Sequence, residues 1–175
     1  MWEAVQLEME RRRNFALHYG IQKLEYATDD NPFAGRVICG TCGQAFGRKV
    51  WNSADDRFRR IIWRCNGKYI EKGKKGCNSR HIDDRMLYQA FVDVFNALVE
   101  NKEYFLAKWK ERLQSGNALE RYKARRFIDI ITDAERIDDF DIDLYCAFVE
   151  KTTVMGRRKM IVGLLDGTEV ECDVE

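Results

Sequence analysis

The chain has 175 residues, 45% of them hydrophobic and 12% aromatic, a composition that excludes disorder throughout and fits one domain or two small ones. No apolar run approaches the length of a membrane span, and the N-terminal segment lacks the basic start and apolar stretch of a signal peptide. We therefore expect a cytoplasmic protein with no membrane partner. Six cysteines in a reducing compartment indicate a metal site or reactive thiols rather than structural disulfides.

The net charge of +1 conceals a strong asymmetry along the chain. Residues 36–85 carry thirteen Lys and Arg against five Asp and Glu, a local net charge of +8. Residues 1–35 sum to −2 and residues 86–175 to −5. This segregation favours a basic section that meets a polyanion, with flanks that fold or bind other protein. A basic face that is merely solvated is the alternative interpretation.

The first 32 residues predict a helix followed by a linker. Trp2, Val5 and Met9 recur at helical spacing. Asp29-Asp30-Asn31-Pro32 then clusters turn-forming residues around the only proline of the chain, which favours a boundary. We assign residues 1–32 to the end of a preceding domain and its linker.

Residues 33–82 have the pattern of a small β-structure. Short runs rich in β-branched and aromatic residues are separated by glycines and by a polar segment at residues 52–56. We expect an antiparallel hairpin in which residues 45–51 pair with residues 58–64.

Residues 83–150 predict a helical segment. Asp83 or Asp84 can cap a first helix. Its apolar face recurs at i, i+3, i+4, i+7 and i+11, as Leu87, Ala90, Phe91, Val94 and Leu98. Two more amphipathic stretches predict a short, coiled-coil-like helical hairpin over about residues 101–134, with about two heptads in each arm. A further helix is expected over Phe140–Val149.

The end of the chain predicts a β-hairpin over residues 151–175 that packs on the β-rich section. Asp166-Gly167 stands between two alternating runs, which is a strong hairpin signal. The predicted fold class is therefore α+β: a small β-ribbon, a helical segment with a short helical hairpin, and a C-terminal β-hairpin.

Four of the six cysteines lie in the basic, β-rich section, as Cys39-x2-Cys42 and Cys65-x11-Cys77. Four thiolates in two pairs make a closed tetrahedral Zn²⁺ site, with no position left for a substrate or an activated water. Such a site is structural, which also disfavours a zinc hydrolase. We interpret Gly40 and Gly43 as the residues that allow the tight turn between the first two cysteines.

Three other interpretations of these cysteines fit the sequence less well. A thioredoxin-like pair is expected at the start of a helix, whereas glycines and a β-pattern surround Cys39 and Cys42. A rubredoxin-like iron site prefers two C-x-x-C pairs, and disulfides are rare in a reducing compartment. One structural Zn²⁺ is the prediction, and Cys146 and Cys172 are interpreted as small buried residues.

Basic residues surround the predicted hairpin and are the candidate DNA contacts. They are Arg48, Lys49, Arg57, Arg59, Arg60, Arg64, Lys68, Lys72, Lys74, Lys75 and Arg80. A two-stranded β-ribbon fits the major groove of B-DNA, and cations of this number make several phosphate contacts. Trp51 and Trp63 are interpreted as ribbon core, with stacking on bases as the alternative. We expect His81 to be a surface or phosphate-contacting residue.

The order of these features resembles the recombinase zinc β-ribbon of large serine recombinases. The resemblance rests on Phe33-x-Gly35-x-Val37-x-Cys39-Gly40-x-Cys42-Gly43, the basic hairpin, Trp63-x-Cys65, and Cys77-x4-Ile82 leading into a helix. Trp2-x2-Val5-Gln6 with Arg12-Arg13 is similar to the end of the family's recombinase domain, and residues 140–154 with Asp166-Gly167-Thr168-Glu169 are similar to its closing helix and hairpin.

The resemblance implies a site-specific recombinase of a phage or mobile element, with a bacterial or phage origin. In that family a separate serine domain cuts DNA, the zinc domain enters the major groove of the attachment site, and a coiled-coil arm contacts other recombinase subunits. None of the serines, Ser53, Ser79 and Ser115, stands in the family's Arg-x-Ser context. We therefore expect a C-terminal fragment that binds duplex DNA, without a catalytic domain or a small-molecule substrate.

A second hypothesis belongs to a different class. In it the chain is a protein-interaction module, the helical hairpin mediates self-association of recombinase subunits, and the zinc ribbon is purely structural.

Overall fold

Five α-helices and seven strands make up the fold in the computed structural model, which describes residues 1–22, 27–52, 54–70, 73–156 and 158–174. In chain order they are α1 (Trp2–His18), β1 (Val37–Cys39), β2 (Phe46–Trp51), β3 (Arg60–Cys65), β4 (Ile82–Asp83), α2 (Asp84–Glu100), α3 (Lys102–Arg112), α4 (Ala118–Thr132), α5 (Ile142–Phe148), β5 (Val149–Val154), β6 (Lys159–Leu164) and β7 (Glu169–Asp173). A 3-10 turn, Asn66–Tyr69, follows β3. The α+β prediction is confirmed.

The predicted ribbon is an antiparallel sheet of order β2-β3-β4. Phe46 pairs with Cys65 at one end of the ribbon, and Trp51 pairs with Arg60 at the other. The β2–β3 hairpin is therefore confirmed, with β3 starting two residues later than expected. β3 begins later because residues 55–58 form hydrogen-bonded turns rather than ladder pairs.

The second sheet has the order β1-β5-β6-β7 and contains a strand, β5, that the sequence did not predict. The predicted Asp166-Gly167 hairpin is present, and Gly167 takes a φ of +85° at the turn. The helix expected over Phe140–Val149 is shorter, and the chain enters β5 at Val149. β5 pairs in parallel with β1, which lies more than a hundred residues earlier in the chain, so no local sequence pattern predicts this pairing.

α2 is the central helix of the core. All five residues of its predicted apolar face are buried. Asp83 occupies the N-cap position in extended conformation but makes no capping hydrogen bond from its side chain. Asp84 instead accepts a hydrogen bond from Trp63 Nε1, which fastens the helix to the ribbon.

The predicted helical hairpin, α3 and α4, lies against the β6–β7 turn of the second sheet and against α5. Asn117 caps α4 by accepting hydrogen bonds from the backbone N–H groups of Leu119 and Glu120. Trp109 and Phe127 are fully buried, and the Phe127 ring stacks on Phe148 with centroids 4.5 Å apart. The hairpin contributes to the main core, and its coiled-coil character stays a prediction.

α1 packs on the outer side of α4. Glu8 pairs with Arg11 and Lys123, and Arg11 also pairs with Glu150 at the start of β5. One buried cluster joins residues from the three segments 33–82, 83–150 and 151–175. The boundaries drawn between these segments stay predictions.

Within the described ranges, none of the helices combines the length and the apolar character that crossing a bilayer requires.

Candidate metal centre and nucleic-acid interface

The four predicted zinc ligands come together at one end of the ribbon. The sulfurs of Cys39, Cys42, Cys65 and Cys77 all lie within 4.8 Å of one another. Cys39 Sγ is 3.7 Å from Cys77 Sγ, and Cys42 Sγ is 3.4 Å from Cys65 Sγ. Cys39 and Cys65 are buried, whereas Cys42 is exposed.

The turn between Cys39 and Cys42 depends on two glycines for different reasons. The N–H of Gly43 donates to the Cys39 carbonyl over 2.8 Å, and Gly43 has a φ of +73°, which favours glycine. A Cβ on Gly40 would lie 2.9 Å from the Val154 carbonyl oxygen, at the end of β5. The prediction that both glycines serve the turn is thus correct for Gly43, while Gly40 permits the close approach of the neighbouring strand β5 just after the end of β1.

The second pair of cysteines is held by backbone contacts across the 3-10 turn. The Cys77 N–H donates to the Gly67 carbonyl over 2.9 Å, and the Ser79 N–H points at Cys77 Sγ over 3.4 Å. A Cβ on Gly67 would lie 3.2 Å from Cys42 Sγ. The space around Gly76 is smaller still, because an added Cβ would clash with the Gly67 carbonyl and lie 2.6 Å from the Lys68 carbonyl oxygen.

This arrangement fits one structural Zn²⁺. Tetrahedral Zn–S bonds of about 2.3 Å place the sulfurs about 3.8 Å apart, close to the two distances found here. Burial raises the pKa of Cys39, but the backbone N–H of Cys42 and a hydrogen bond with Ser79 outweigh it and lower that pKa to about 7. Burial raises the pKa of Cys65. A bound Zn²⁺ would hold all four groups as thiolates and fix the base of the ribbon.

The ribbon has one face toward the core and one face outward. Residues that pair across β2 and β3 share a face. Phe46, Arg48 and Val50 therefore share the face of Trp63. Phe46 and Trp63 are 3% and 1% exposed, whereas Val50 is 40% exposed, so this face closes the core at the end of the ribbon that carries the cysteines.

The opposite face, which we call the outward face, carries Lys49, Trp51, Arg60 and Arg64, with the buried Ile62 between the two arginines. The guanidinium of Arg60 lies 4.7 Å from the ring centroid of Trp51, and that of Arg64 lies 4.8 Å from the centroid of Tyr69. Cation–π contacts of this kind restrict the arginine side chains without neutralising their charge. The face thus presents three cations and two aromatic rings.

His81 and the two ribbon tryptophans fall into distinct environments. Trp63 is core, as predicted, but Trp51 is 40% exposed and is packed edge-on against the His81 ring at 4.8 Å. Trp51 therefore does not belong to the core. Strand parity could have revealed this, because Trp51 and Trp63 lie on opposite faces once Arg48 is paired with Trp63.

The other predicted DNA contacts lie in three different parts of the structure. Arg48 is half-buried on the inner face. Arg57 and Arg59, in the β2–β3 loop, are paired with Asp55 and Asp56. The candidates beyond β3 are the half-buried Lys68, whose Nζ donates to the Ser79 carbonyl, and the exposed Lys74, Lys75 and Arg80. Lys72 lies outside the described residues.

Comparison with known proteins agrees with the metal centre. Residues 32–96 match the family described as the recombinase zinc beta ribbon domain. A comparison with curated protein sequences found no significant match. A crystal structure of a complex between DNA and an LSR, a large serine recombinase, is similar with a TM-score of 0.44 and 15% identity. The alignment covers 91% of this chain and 57% of that one. The match over residues 32–96 supports the recombinase zinc β-ribbon region that the sequence predicted.

Proposed function

We propose that this chain is the DNA-binding zinc-ribbon part of a site-specific serine recombinase and contacts the attachment-site duplex through the major groove and the phosphates. The observation that carries the proposal is the outward face, where Lys49, Arg60 and Arg64 stand on the side of the ribbon that does not close the core. The family match over residues 32–96 supports it. The strand cutting is assigned to a different domain of the parent protein.

The charge of the section supports binding to a polyanion. Residues 36–85 carry +8, and a Zn²⁺ with four thiolates contributes −2, so a large positive charge remains. Each cation that neutralises a phosphate releases counterions, which makes the affinity depend strongly on salt. A two-stranded ribbon also has the width that the major groove admits.

Zinc has an indirect role in this proposal. The four cysteines hold the Phe46–Cys65 end of the ribbon, and Trp63 and Asp84 anchor it to α2. The metal centre and α2 therefore secure the base of the ribbon from which its cations project. We assign the binding to the cytoplasm, with other recombinase subunits as the protein partners.

The test is fluorescence anisotropy with a 30-base-pair duplex of mixed sequence, because the phosphate contribution does not require the attachment site. The triple variant Lys49→Ala/Arg60→Ala/Arg64→Ala should weaken binding and reduce the slope of log K against log salt by up to about 3. A matched variant, Lys110→Ala/Arg125→Ala/Arg126→Ala, removes three exposed cations from α3 and α4 and should retain the wild-type slope.

Two outcomes would contradict the proposal. One is the absence of binding by the zinc-loaded wild type at low salt. The other is an equal loss of affinity in the two triple variants, which would mean that only net charge matters. The hypothesis of a purely structural ribbon would gain support if the outward-face variant bound DNA normally while substitutions of the exposed Tyr104 and Tyr122 abolished self-association.

A further inference from the structure

The loop between β2 and β3 carries an exposed aromatic ring that neither the core nor the outward face explains. Phe58 is 62% exposed. Arg57 and Arg59 flank it in sequence, and the Arg57 guanidinium lies 5.7 Å from the centre of its ring. A single exposed apolar residue needs no special explanation, but this ring stands between two arginines at the tip of a basic ribbon, which makes it a candidate contact for nucleic acid.

The loop holds this ring outward through its own hydrogen bonds. The Phe58 N–H donates to the Asp55 carbonyl over 3.0 Å, and its carbonyl accepts from Asn52 Nδ2 over 3.3 Å. The Asp55 N–H in turn donates to the Asn52 carbonyl over 3.2 Å, and the Asp55 carboxylate accepts from the Arg57 backbone and guanidinium. Both backbone groups of Phe58 are therefore fixed, and the exposure of the ring is built into the turn.

The loop is at the far end of the ribbon from the metal centre. The ladder runs from the Phe46–Cys65 pair to the Trp51–Arg60 pair, a length of about 17 Å at 3.4 Å per residue. The major groove is about 8.5 Å deep. A ribbon that enters it end-on places its loop against the base edges while Lys49 and Arg60 remain level with the phosphates.

We propose that Phe58 reads the C5-methyl group of thymine in the major groove. The inference rests on the proposed DNA-binding function and adds a base-contacting residue to it. In that groove the base edges present hydrogen-bond donors and acceptors, and the thymine methyl is the apolar feature. An aromatic ring at the tip gains burial against that methyl and loses hydration against a cytosine or guanine edge, so it favours thymine.

An intercalating wedge is the competing use of an exposed apolar residue. Wedges of this kind work mainly from the minor groove, which is about 6 Å wide and narrower than a two-stranded ribbon. Phe58 also lies at a turn whose two ends are tied to paired strands, which restricts how far it can advance between bases. The geometry therefore favours contact with the base edge.

The experiment compares two 24-base-pair duplexes, one of alternating A·T and one of alternating A·U, which differ only in the thymine methyl groups. The wild-type protein should bind the A·T duplex about fourfold more tightly for one buried methyl group. Phe58→Ala should bind both duplexes equally, and Phe58→Leu should keep part of the preference. Tyr104→Ala removes a ring that is 67% exposed on α3 and should keep all of it.

The outcomes separate this inference from the function on which it rests. If the wild type binds neither duplex at low salt, the proposed DNA binding fails. Equal wild-type affinity for the two duplexes overturns the proposal that Phe58 contacts the thymine methyl group and leaves the proposed DNA binding intact. Phe58→Ala could instead lose the same affinity for both duplexes and bend a doubly labelled duplex less, as measured by energy transfer. That result indicates an intercalating wedge and also overturns the methyl contact.

Discussion

Trp109 Nε1 donates a hydrogen bond to Asp166 Oδ2 over 3.0 Å, which joins the helical hairpin to the β6–β7 turn. Both side chains are buried, and Asp166 also accepts from the N–H and hydroxyl of Thr168 and pairs with Lys108. Burial raises the pKa of Asp166, but these hydrogen bonds and the Lys108 charge outweigh it and leave that pKa below its usual range. The hairpin is therefore anchored at its middle.

The Trp109–Asp166 contact should contribute measurably to stability. Trp109→Phe keeps most of the buried ring and removes one donor from a buried carboxylate, so we expect a loss of about 1–2 kcal/mol in urea unfolding. Trp109→Ala should cost about 3–5 kcal/mol because it also creates a cavity. If Trp109→Ala were neutral, the hairpin would not be packed on the core.

Removal of the metal should unfold the ribbon and also loosen part of the second sheet. Cys39 ends β1, and β1 pairs with β5 at the edge of the second sheet. Loss of the metal should therefore also destabilise the β1–β5 pairing. In a Cys65→Ser variant, hydrogen exchange should accelerate in β1, β2 and β3, while α3 and α4 keep most of their protection. Elemental analysis should find one zinc per chain in the wild type and in a Cys146→Ser control, and less in Cys65→Ser.

Gly76→Ala should disturb the metal centre although it changes no ligand. The added Cβ would meet the carbonyl oxygens of Gly67 and Lys68, and the Gly67 oxygen accepts the hydrogen bond from Cys77. Displacing that backbone should cost about 1–3 kcal/mol and weaken zinc retention against a chelator. Gly116→Ala is the matched control, since no atom lies within 4 Å of its added Cβ, and it should unfold like the wild type.

The Glu8 cluster should make stability depend on pH in the acid range. Burial raises the pKa of Glu8, but hydrogen bonds and charge from Arg11, Arg12 and Lys123 outweigh it and lower that pKa from 4.5 to about 2. A carboxylate with a depressed folded-state pKa stabilises fully above its unfolded value. The contribution should therefore be present above about pH 4.5 and be lost as the pH falls toward 2.

Glu8→Gln tests this dependence. At pH 7 the variant should be less stable than the wild type by about 1–2 kcal/mol, a value reduced for the solvent screening of a side chain that is 29% exposed. The difference should shrink in urea titrations between pH 4.5 and pH 2. Glu10→Gln, at an exposed position of the same helix, should follow the wild type throughout. A constant difference at every pH would contradict the ion-pair account.

The elements that the sequence predicted correctly are those with a local signal. The α2 face repeats at 3.6 residues, and Asp166-Gly167 forms a turn that suits only a hairpin. The four cysteines stood out because they share the basic, β-rich section and make up a four-thiolate set of the kind that holds a structural Zn²⁺. The list of cations came from charge and position beside the predicted hairpin, without strand parity, and so it included Arg48 on the inner face together with Lys49 on the outward face.

The sequence by itself thus determined the zinc ligands, the hairpins, the central helix and the concentration of positive charge between residues 36 and 85. Only the tertiary structure decided that β5 pairs with β1 and that Trp109 ties the hairpin to Asp166. These features depend on strand register and on contacts between distant segments. Their free energy comes from burial and hydrogen bonds that exist only after the chain has folded, so no local pattern encodes them.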